Sequence, residues 1–336
     1  MYELEENKII EEVRKRRSRR ILLQMPEGLK PEAFDLATIL EKETHADVFV
    51  SADPCYGACD LALISKRQIG ADLLIHIGHA EIPGEFSEEN VLYVEARAQV
   101  SIDQAMLHAI KMLQTERTIG LASNIQHIHQ MGRAKEMLRA HGKEVVVGQA
   151  SGWLKYEGQV LGCDYGSVRA IAGKVDAIVL LSGGAFHALG IPLATGRRTI
   201  VVDPYQGTAN DVTDACRRLL RKRWISITRF KEAKKIGIIV GMKSSQLKIP
   251  LARQLKAMLD AEGYLTVLVC ATEVIPETLE SFIDLDAYVE ISCPRISTDD
   301  QDRYRKPILN PEEVMIVLGK KTWEGYTKAM ALEQWH

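Results

Sequence analysis

Apolar positions along the chain fall into short continuous runs, separated by segments in which apolar residues recur three and four apart, and this alternation starts afresh three times. Segments 20–28, 117–124 and 235–245 each read as a short strand running into a polar or glycine-containing turn and then a helix. Helical spacing follows, with Phe34, Leu36, Ile39 and Leu40 after the first strand and Leu251, Leu255, Met258 and Leu259 after the last. A second apolar strand comes next in each repeat, at 47–51, 144–148 and 266–270. A third follows at 71–76, 176–181 and 286–291, each with an aspartate near its start: Asp72, Asp176 and Asp286. Fourth strands read clearly at 91–95 and 199–203 and weakly at 306–310.

Continuous apolar strands alternating with helices imply parallel sheets covered on both faces. The expected fold is therefore α/β, with three homologous βα-repeat domains at 1–112, 113–228 and 229–336 arranged about a pseudo-threefold centre. Parallel sheets bind ligands beyond the carboxyl ends of their strands, so the chemistry is expected in the loops there.

Composition narrows the partners. Across 336 residues the formal net charge is only −2, which gives no reason to expect a polyanion. The basic run at 14–20 carries no interleaved aromatics and reads as the solvated end of a first helix, so no nucleic acid is expected. The opening 1–6 is acidic and lacks the apolar core of a signal peptide, and no run approaches the ~20 apolar residues that span a bilayer. The expected location is cytoplasmic, without a membrane partner. Thiols stay reduced there, which favours metal binding or catalysis over disulfides.

Six cysteines are then the main candidates. Cys59 lies in Tyr56-Gly57-Ala58-Cys59-Asp60, Cys163 in Leu161-Gly162-Cys163-Asp164, and Cys293 in Ser292-Cys293-Pro294-Arg295, all turn-rich and all after a second or third strand. Three equivalent domains could bring them together. Cys55 and Cys59 form a C-x3-C pair, but no second close pair completes a zinc site of ordinary spacing. Cys216 in a helical pattern and Cys270 at the end of a strand read as small buried hydrophobes. His79 and His187 follow third strands and could face the centre, although surface or capping roles are the simpler reading. His127 and His129 lack a neighbouring carboxylate or cysteine in sequence, which argues against a metal there.

Pro26-Glu27-Gly28-Leu29, Tyr56-Gly57-Ala58-Cys59-Asp60, Leu161-Gly162-Cys163 and Ser292-Cys293-Pro294-Arg295 together resemble the archaeal enzymes of the diphthamide biosynthesis family, through all three repeats. The resemblance implies a 4Fe–4S cluster held by Cys59, Cys163 and Cys293, one per domain, with Cys55 as a bystander. It implies transfer of the 3-amino-3-carboxypropyl group of S-adenosylmethionine to the imidazole C2 of a histidine in translation elongation factor 2, by a radical route. It also implies a homodimer and an electron donor. Three thiolates on a cubane leave one iron open for a substrate, and imidazole C2 is a poor nucleophile, so the chemistry is consistent.

The loops at 182–187 and 241–246 are the candidates for the nucleoside or amino-acid part of S-adenosylmethionine, through Gly183, Gly184, Ser244 and Gln246, with ordinary turns as the alternative. Arg295 could pair with the methionine carboxylate or, equally, with Asp299 or Asp300. Gly57 and Gly162 are expected to allow close backbone approach or positive φ beside the cluster. Two rival functions keep the fold: an iron–sulfur lyase like quinolinate synthase, and a non-catalytic partner subunit. The Ser-Cys-Pro-Arg element speaks against the first, and retention of all three cysteines against the second.

Overall fold

The computed structural model describes residues 2–84, 89–184 and 187–328. The fold is α/β, built on three parallel sheets. In chain order the first sheet comprises β2 (Arg20–Gln24), β3 (Asp47–Val50), β4 (Leu73–Ile77) and β5 (Val91–Val94), while β1 (Tyr2–Glu3) pairs only with β6 (Arg97–Ala98). The second comprises β7 (Thr118–Ser123), β8 (Glu144–Val146), β9 (Ala177–Leu181), β10 (Arg198–Asp203) and β11 (Thr208–Asp211). The third comprises β12 (Lys235–Gly241), β13 (Leu265–Ala271), β14 (Ala287–Glu290) and β15 (Ile308–Leu309).

Spatial order is β3-β2-β4-β5, β8-β7-β9-β10 with β11 added antiparallel at the edge, and β13-β12-β14-β15. Each sheet thus places its first strand between its second and third. The weakly patterned fourth strand of the last sheet is formed, but by two residues only.

Side chains alternate across each sheet because successive Cβ atoms point to opposite faces. In the second sheet Ile119, Leu121, Val179, Leu181, Ile200 and Val202 enter one core, and Ala122, Ile178, Leu180 and Val201 enter the other. Burial on both faces explains the unbroken apolar runs, at roughly 1.5–3 kcal/mol for each large side chain removed from water. The three aspartates act alike. Asp72 accepts the Arg19 N–H at 2.8 Å, Asp176 those of Arg117 and Thr118 at 2.8 and 2.9 Å, and Asp286 those of Lys234 and Lys235 at 2.9 and 2.8 Å. Each carboxylate caps the start of the neighbouring first strand, which would otherwise carry unpaired donors.

Helix packing departs from the expected divisions. Helix Asp103–Met112 buries Ala105, Met106 and Ala109 in the core of the second sheet, and helix Thr213–Phe230 packs Cys216, Leu219, Ile227 and Phe230 against the third. Packing therefore joins each helix to the sheet after it, one helix ahead of the divisions at 112/113 and 228/229. Solvent exposure marks two further differences. Phe34 stands 78% exposed on its helix, whereas Leu36 and Leu40 are buried. Cys270 is exposed, not a buried hydrophobe, because β13 is an edge strand and its outward positions face solvent; Cys216 is buried as expected.

Arg223 fixes helix Thr213–Phe230 to the third sheet. It is fully buried, its Nε donates to Glu313 Oε1 at 2.7 Å, and it also donates to the carbonyls of Ser297 and Ile308 at 2.6 and 2.8 Å and to Gln301 Oε1 at 2.9 Å. Removing one partner of such a pair strands the other charge. Arg223→Met is expected to lower stability by about 3–5 kcal/mol in urea unfolding, whereas a loss under about 1 kcal/mol would show that the pair is dispensable.

Candidate functional site

Cys59, Cys163 and Cys293 line one small cavity, together with Trp153, Ser245, Gln246, Lys248, Ser292 and Pro294. Each cysteine comes from a loop beyond a different sheet, and each is half-buried. Cys59 sits in a turn closed by the Asp60 N–H donating to the Gly57 carbonyl at 3.0 Å. Buried Gln24 at the end of β2 clamps that turn, with its Nε2 donating to the Asp60 carbonyl at 2.6 Å and its Oε1 accepting the Ala62 N–H at 3.1 Å. Asp164 shapes the Cys163 loop by accepting the N–H groups of Trp153 and Gly166 at 3.0 and 2.8 Å. Cys293 precedes Pro294 at the first position of helix Pro294–Thr298, where a missing N–H costs nothing.

Glu290, fully buried at the end of β14, organises this last turn. Its Oε1 accepts from Ser292 N, Ser292 Oγ and Cys293 N at 2.5, 2.5 and 2.6 Å. Burial pushes its carboxyl up to about 7, against those hydrogen bonds.

The Cys59 loop is locked to the loops after β12 and β13 of the third sheet. Lys243 reaches Asp60 at 2.8 Å and Glu273 at 2.7 Å and lies 4.5 Å above the Tyr56 ring. Burial opposes the charge on Lys243, but the two carboxylates outweigh it and hold its pKa above the usual range. Ser245 N–H donates to the Cys59 carbonyl at 3.4 Å, and Ser244 Oγ lies 3.5 Å from the Leu61 carbonyl. Arg295 pairs with Asp299 and reaches the Gly162 carbonyl at 3.5 Å, linking the second and third loops.

Convergence has an electrostatic consequence. Burial raises all three thiols, Cys59 well above its ordinary value, Cys163 to about 12 and Cys293 to about 11, and for Cys59 and Cys163 the neighbouring cysteines raise it further. Burial lowers the nearby Lys248, while the three cysteines and Glu290 pull it back up. Three buried thiols, two of them further disfavoured as thiolates by their neighbours, suit a metal centre, whose positive charge would let them bind as thiolates.

A family model described as "Putative diphthamide synthesis protein" matches residues 25–328. The chain belongs to this family. It is 37% identical over 322 residues to the 2-(3-amino-3-carboxypropyl)histidine synthase of Pyrococcus horikoshii, covering 95% of this chain and 91% of the relative. Subunit 1 of the corresponding synthase of Gallus gallus is 30% identical over 328 residues, covering 96% of this chain and 78% of the relative. Among solved structures, Dph2 from Pyrococcus horikoshii with a 4Fe–4S cluster superposes with a TM-score of 0.87 at 35% identity, covering 96% of this chain and 93% of that one.

In this member of the diphthamide synthesis family the other expected site residues divide. Gln246 lines the cysteine cavity, whereas Ser244 faces Leu61 instead. Gly183 and Gly184 do not line it: a Cβ on Gly183 would meet the Tyr205 ring at 2.8 Å, and the Gly184 N–H donates to Asp203 at 2.9 Å. Ala185 and Phe186 of that loop lie outside the described residues. Gly57 has ordinary negative φ, and its contribution is space, since a Cβ there would stand 3.2 Å from Cys59 Sγ. Gly162 likewise lacks positive φ. A Cβ on Gly241 would lie 2.4 Å from Ser292 Cβ, so only glycine lets the Ser245–Gln246 loop close on the Cys293 turn.

His79 is hydrogen-bonded to His76 at 3.0 Å, and His187 Nδ1 lies 3.4 Å from Ser182 Oγ. Ser245 lies in the expected loop 241–246, whereas sequence reasoning passed over Trp153, Lys248 and Glu290. Glu290 alone left a signal, as an acid within the apolar run 287–291.

His127 is fully buried, and neither ring nitrogen has a hydrogen-bond partner among the described residues. Burial lowers its pKa from 6.5 to about 4. The folded state therefore binds fewer protons than the unfolded one between those values, and stability falls as pH drops from about 6.5 towards 4. His127→Leu is expected to flatten the fall by about one proton, or about 1.4 kcal/mol per pH unit. Urea midpoints measured from pH 7.5 to 4.5 check this, and an unchanged slope would contradict it.

Proposed function

We propose that this chain is a 2-(3-amino-3-carboxypropyl)histidine synthase that moves the 3-amino-3-carboxypropyl group of S-adenosylmethionine to the imidazole C2 of a histidine in translation elongation factor 2, the first step of diphthamide biosynthesis. The observation that carries this reading is the meeting of Cys59, Cys163 and Cys293 in one cavity of a diphthamide synthesis family chain. A related solved structure carries a 4Fe–4S cluster. The donor set fits such a group, because three thiolates, with no fourth cysteine at the cavity among the described residues, match a cubane with one iron left open. When bound, the cluster supplies an electron and an open iron for reductive, radical cleavage of the sulfonium.

The protein's own residues provide position and shielding. Cys59, Cys163 and Cys293 hold the group; Glu290 keeps the Cys293 turn shut; and the Lys243–Asp60 pair sets the Cys59 loop against the loop after β12. Lys248 brings a cation to the wall of the cavity and complements the carboxylate of the methionine moiety, with Gln246 beside it as a neutral partner. Arg295, already engaged by Asp299, acts chiefly by tying the second loop to the third. Trp153 adds an aromatic wall from the loop after β8.

The protein works in the cytoplasm as a homodimer, with an external electron donor. Its substrate is a protein, which must present the reacting histidine at the cysteine cavity. No helix among the described residues is long and apolar enough to cross a membrane.

Anaerobically purified protein is expected to be brown and, once reduced, to move label from carboxypropyl-labelled S-adenosylmethionine onto elongation factor 2. Cys59→Ala, Cys163→Ala and Cys293→Ala should each abolish the cluster's electron paramagnetic resonance signal and the transfer, while Cys55→Ala, Cys216→Ala and Cys270→Ala retain the signal. Colourless protein that resists reconstitution would reject the reading. Cluster-loaded protein that cleaves S-adenosylmethionine but leaves the factor unlabelled would reject the assigned acceptor.

A further inference from the structure

Cys55 has no place in the three-cysteine cavity, yet it is 2% exposed, with the charges of Asp60, Glu27 and Lys243 near enough to act on it. Its Sγ and one ring nitrogen from each of His76 and His79 all lie within 4.8 Å of one another. We propose that Cys55, His76 and His79 form a second metal site, separate from the three-cysteine centre, that takes a zinc-like divalent cation with three protein ligands and one open position.

The local fold is built to present these donors. His76 is fully buried near the end of β4, and Gly78, with φ of 97°, turns the chain so that His79 comes back over it. The two rings lie 5.1 Å apart between centroids, with His76 Nε2 only 3.0 Å from His79 Nδ1. The turn is pinned from two sides: the Gly78 N–H donates to the Val94 carbonyl at 2.7 Å, and Gln126 Nε2 donates to the Gly78 carbonyl at 2.6 Å. A Cβ on Gly78 would come within 3.0 Å of the Pro26 ring, so the turn is specified by packing as well as by φ.

Gln24 settles which nitrogen of His76 is free to bind. Its amide orientation follows from its other contacts, because Nε2 donates to the Asp60 carbonyl and Oε1 accepts the Ala62 N–H. Oε1 is therefore also the acceptor for His76 Nδ1–H at 2.9 Å. That leaves the lone pair of His76 Nε2 directed at His79. Metal-binding histidines characteristically donate their remote N–H to such an outer partner, which fixes tautomer and ring orientation.

The dimensions also suit the ion. With zinc–nitrogen bonds of about 2.0–2.1 Å and a tetrahedral angle, two nitrogen ligands stand roughly 3.3–3.4 Å apart. Opening the His76 Nε2–His79 Nδ1 pair by a few tenths of an ångström, with both rings turned off the hydrogen-bond line and the intervening proton displaced, brings both lone pairs onto one cation. One sulfur and two imidazoles are a borderline-soft set, which favours zinc over magnesium or calcium. Three protein ligands and one open position are the pattern of a zinc ion that binds water or substrate, rather than of a closed structural site.

Cys55 thereby leaves the role of bystander without joining the iron. The pairing in sequence with Cys59 is misleading, since its partners come from the segment after β4.

Two measurements test the proposal, and neither depends on catalysis. Cluster-loaded full-length protein, produced with zinc in the medium and washed with a weak chelator, is expected to retain one equivalent of zinc beside its iron. Cys55→Ser and His79→Gln should lose the zinc and keep the iron. Zinc absent from the unsubstituted protein, or retained by both variants, would overturn the proposal; loss of iron along with zinc would merge the two sites and overturn it too. The second measurement uses the Cys59→Ala/Cys163→Ala/Cys293→Ala chain and Co2+ as probe. A thiolate-to-cobalt charge-transfer band should saturate at one equivalent and vanish on adding Cys55→Ser. Gln24→Met should weaken cobalt binding about 10–100-fold. A triple variant that melts cooperatively yet gives no such band would also overturn the proposal.

Discussion

Buried charge is the constraint on which this structure turns. Lys243, from the loop after the first strand of the third sheet, is held between Asp60 of the first cysteine loop and Glu273, with Lys243 and Asp60 both under 10% exposed. An ion pair so placed stabilises little over an apolar contact of the same shape, yet removing either partner strands a charge. Its effect is specificity of arrangement: the first and third sheets meet in one register, and Cys59 is delivered to Cys293. Arg295 plays the matching part between the second and third loops through Asp299 and the Gly162 carbonyl.

Thiol chemistry follows from this enforced meeting. Partial burial disfavours ionisation of each thiol and, for Cys59 and Cys163, the others' charge disfavours it further. A site where thiolates are costly on their own and cheap around a cationic core selects for a cluster over a free nucleophile. Glu290 adds a fixed acceptor behind Cys293, and Lys248 brings a cation to the cavity wall. The neutral histidines on the other side of the first loop belong to a separate cluster of donors, built on Gln24, which also clamps the Asp60 turn. One buried amide thus ties together both groups of sulfur-bearing loops.

Much of this is legible in the residues. The strand runs, the order of first to fourth strands and the recurrent Asp72, Asp176 and Asp286 reflect two-sided burial and strand capping, both local physics. Cys59, Cys163 and Cys293 stand out because turns at carboxyl ends of parallel strands converge. Less can be read where contacts are long-range. Lys248 and Trp153 look ordinary in sequence, and only the folded loops bring them to the cysteines. Cys270 departs from its pattern because an apolar run does not reveal that its strand lies at a sheet edge, and Phe34 because its helix has a narrower buried stripe than the apolar count suggests. Helices Asp103–Met112 and Thr213–Phe230 cross the expected divisions for the same reason: a repeat pattern marks where a strand begins, not which core the preceding helix completes. Cys55 is paired with Cys59 by spacing alone, whereas its neighbours His76 and His79 arrive from another strand.

One cysteine from each of three sheets, holding a single cluster with one iron left open to S-adenosylmethionine, is the arrangement on which the proposed chemistry stands. Mössbauer spectra of anaerobic, iron-57-loaded protein bear on it without an intermediate step. Two iron environments in a three-to-one ratio are expected, with the minority site alone shifting when S-adenosylmethionine is added. Four equivalent irons, or spectra indifferent to S-adenosylmethionine, would be incompatible with it.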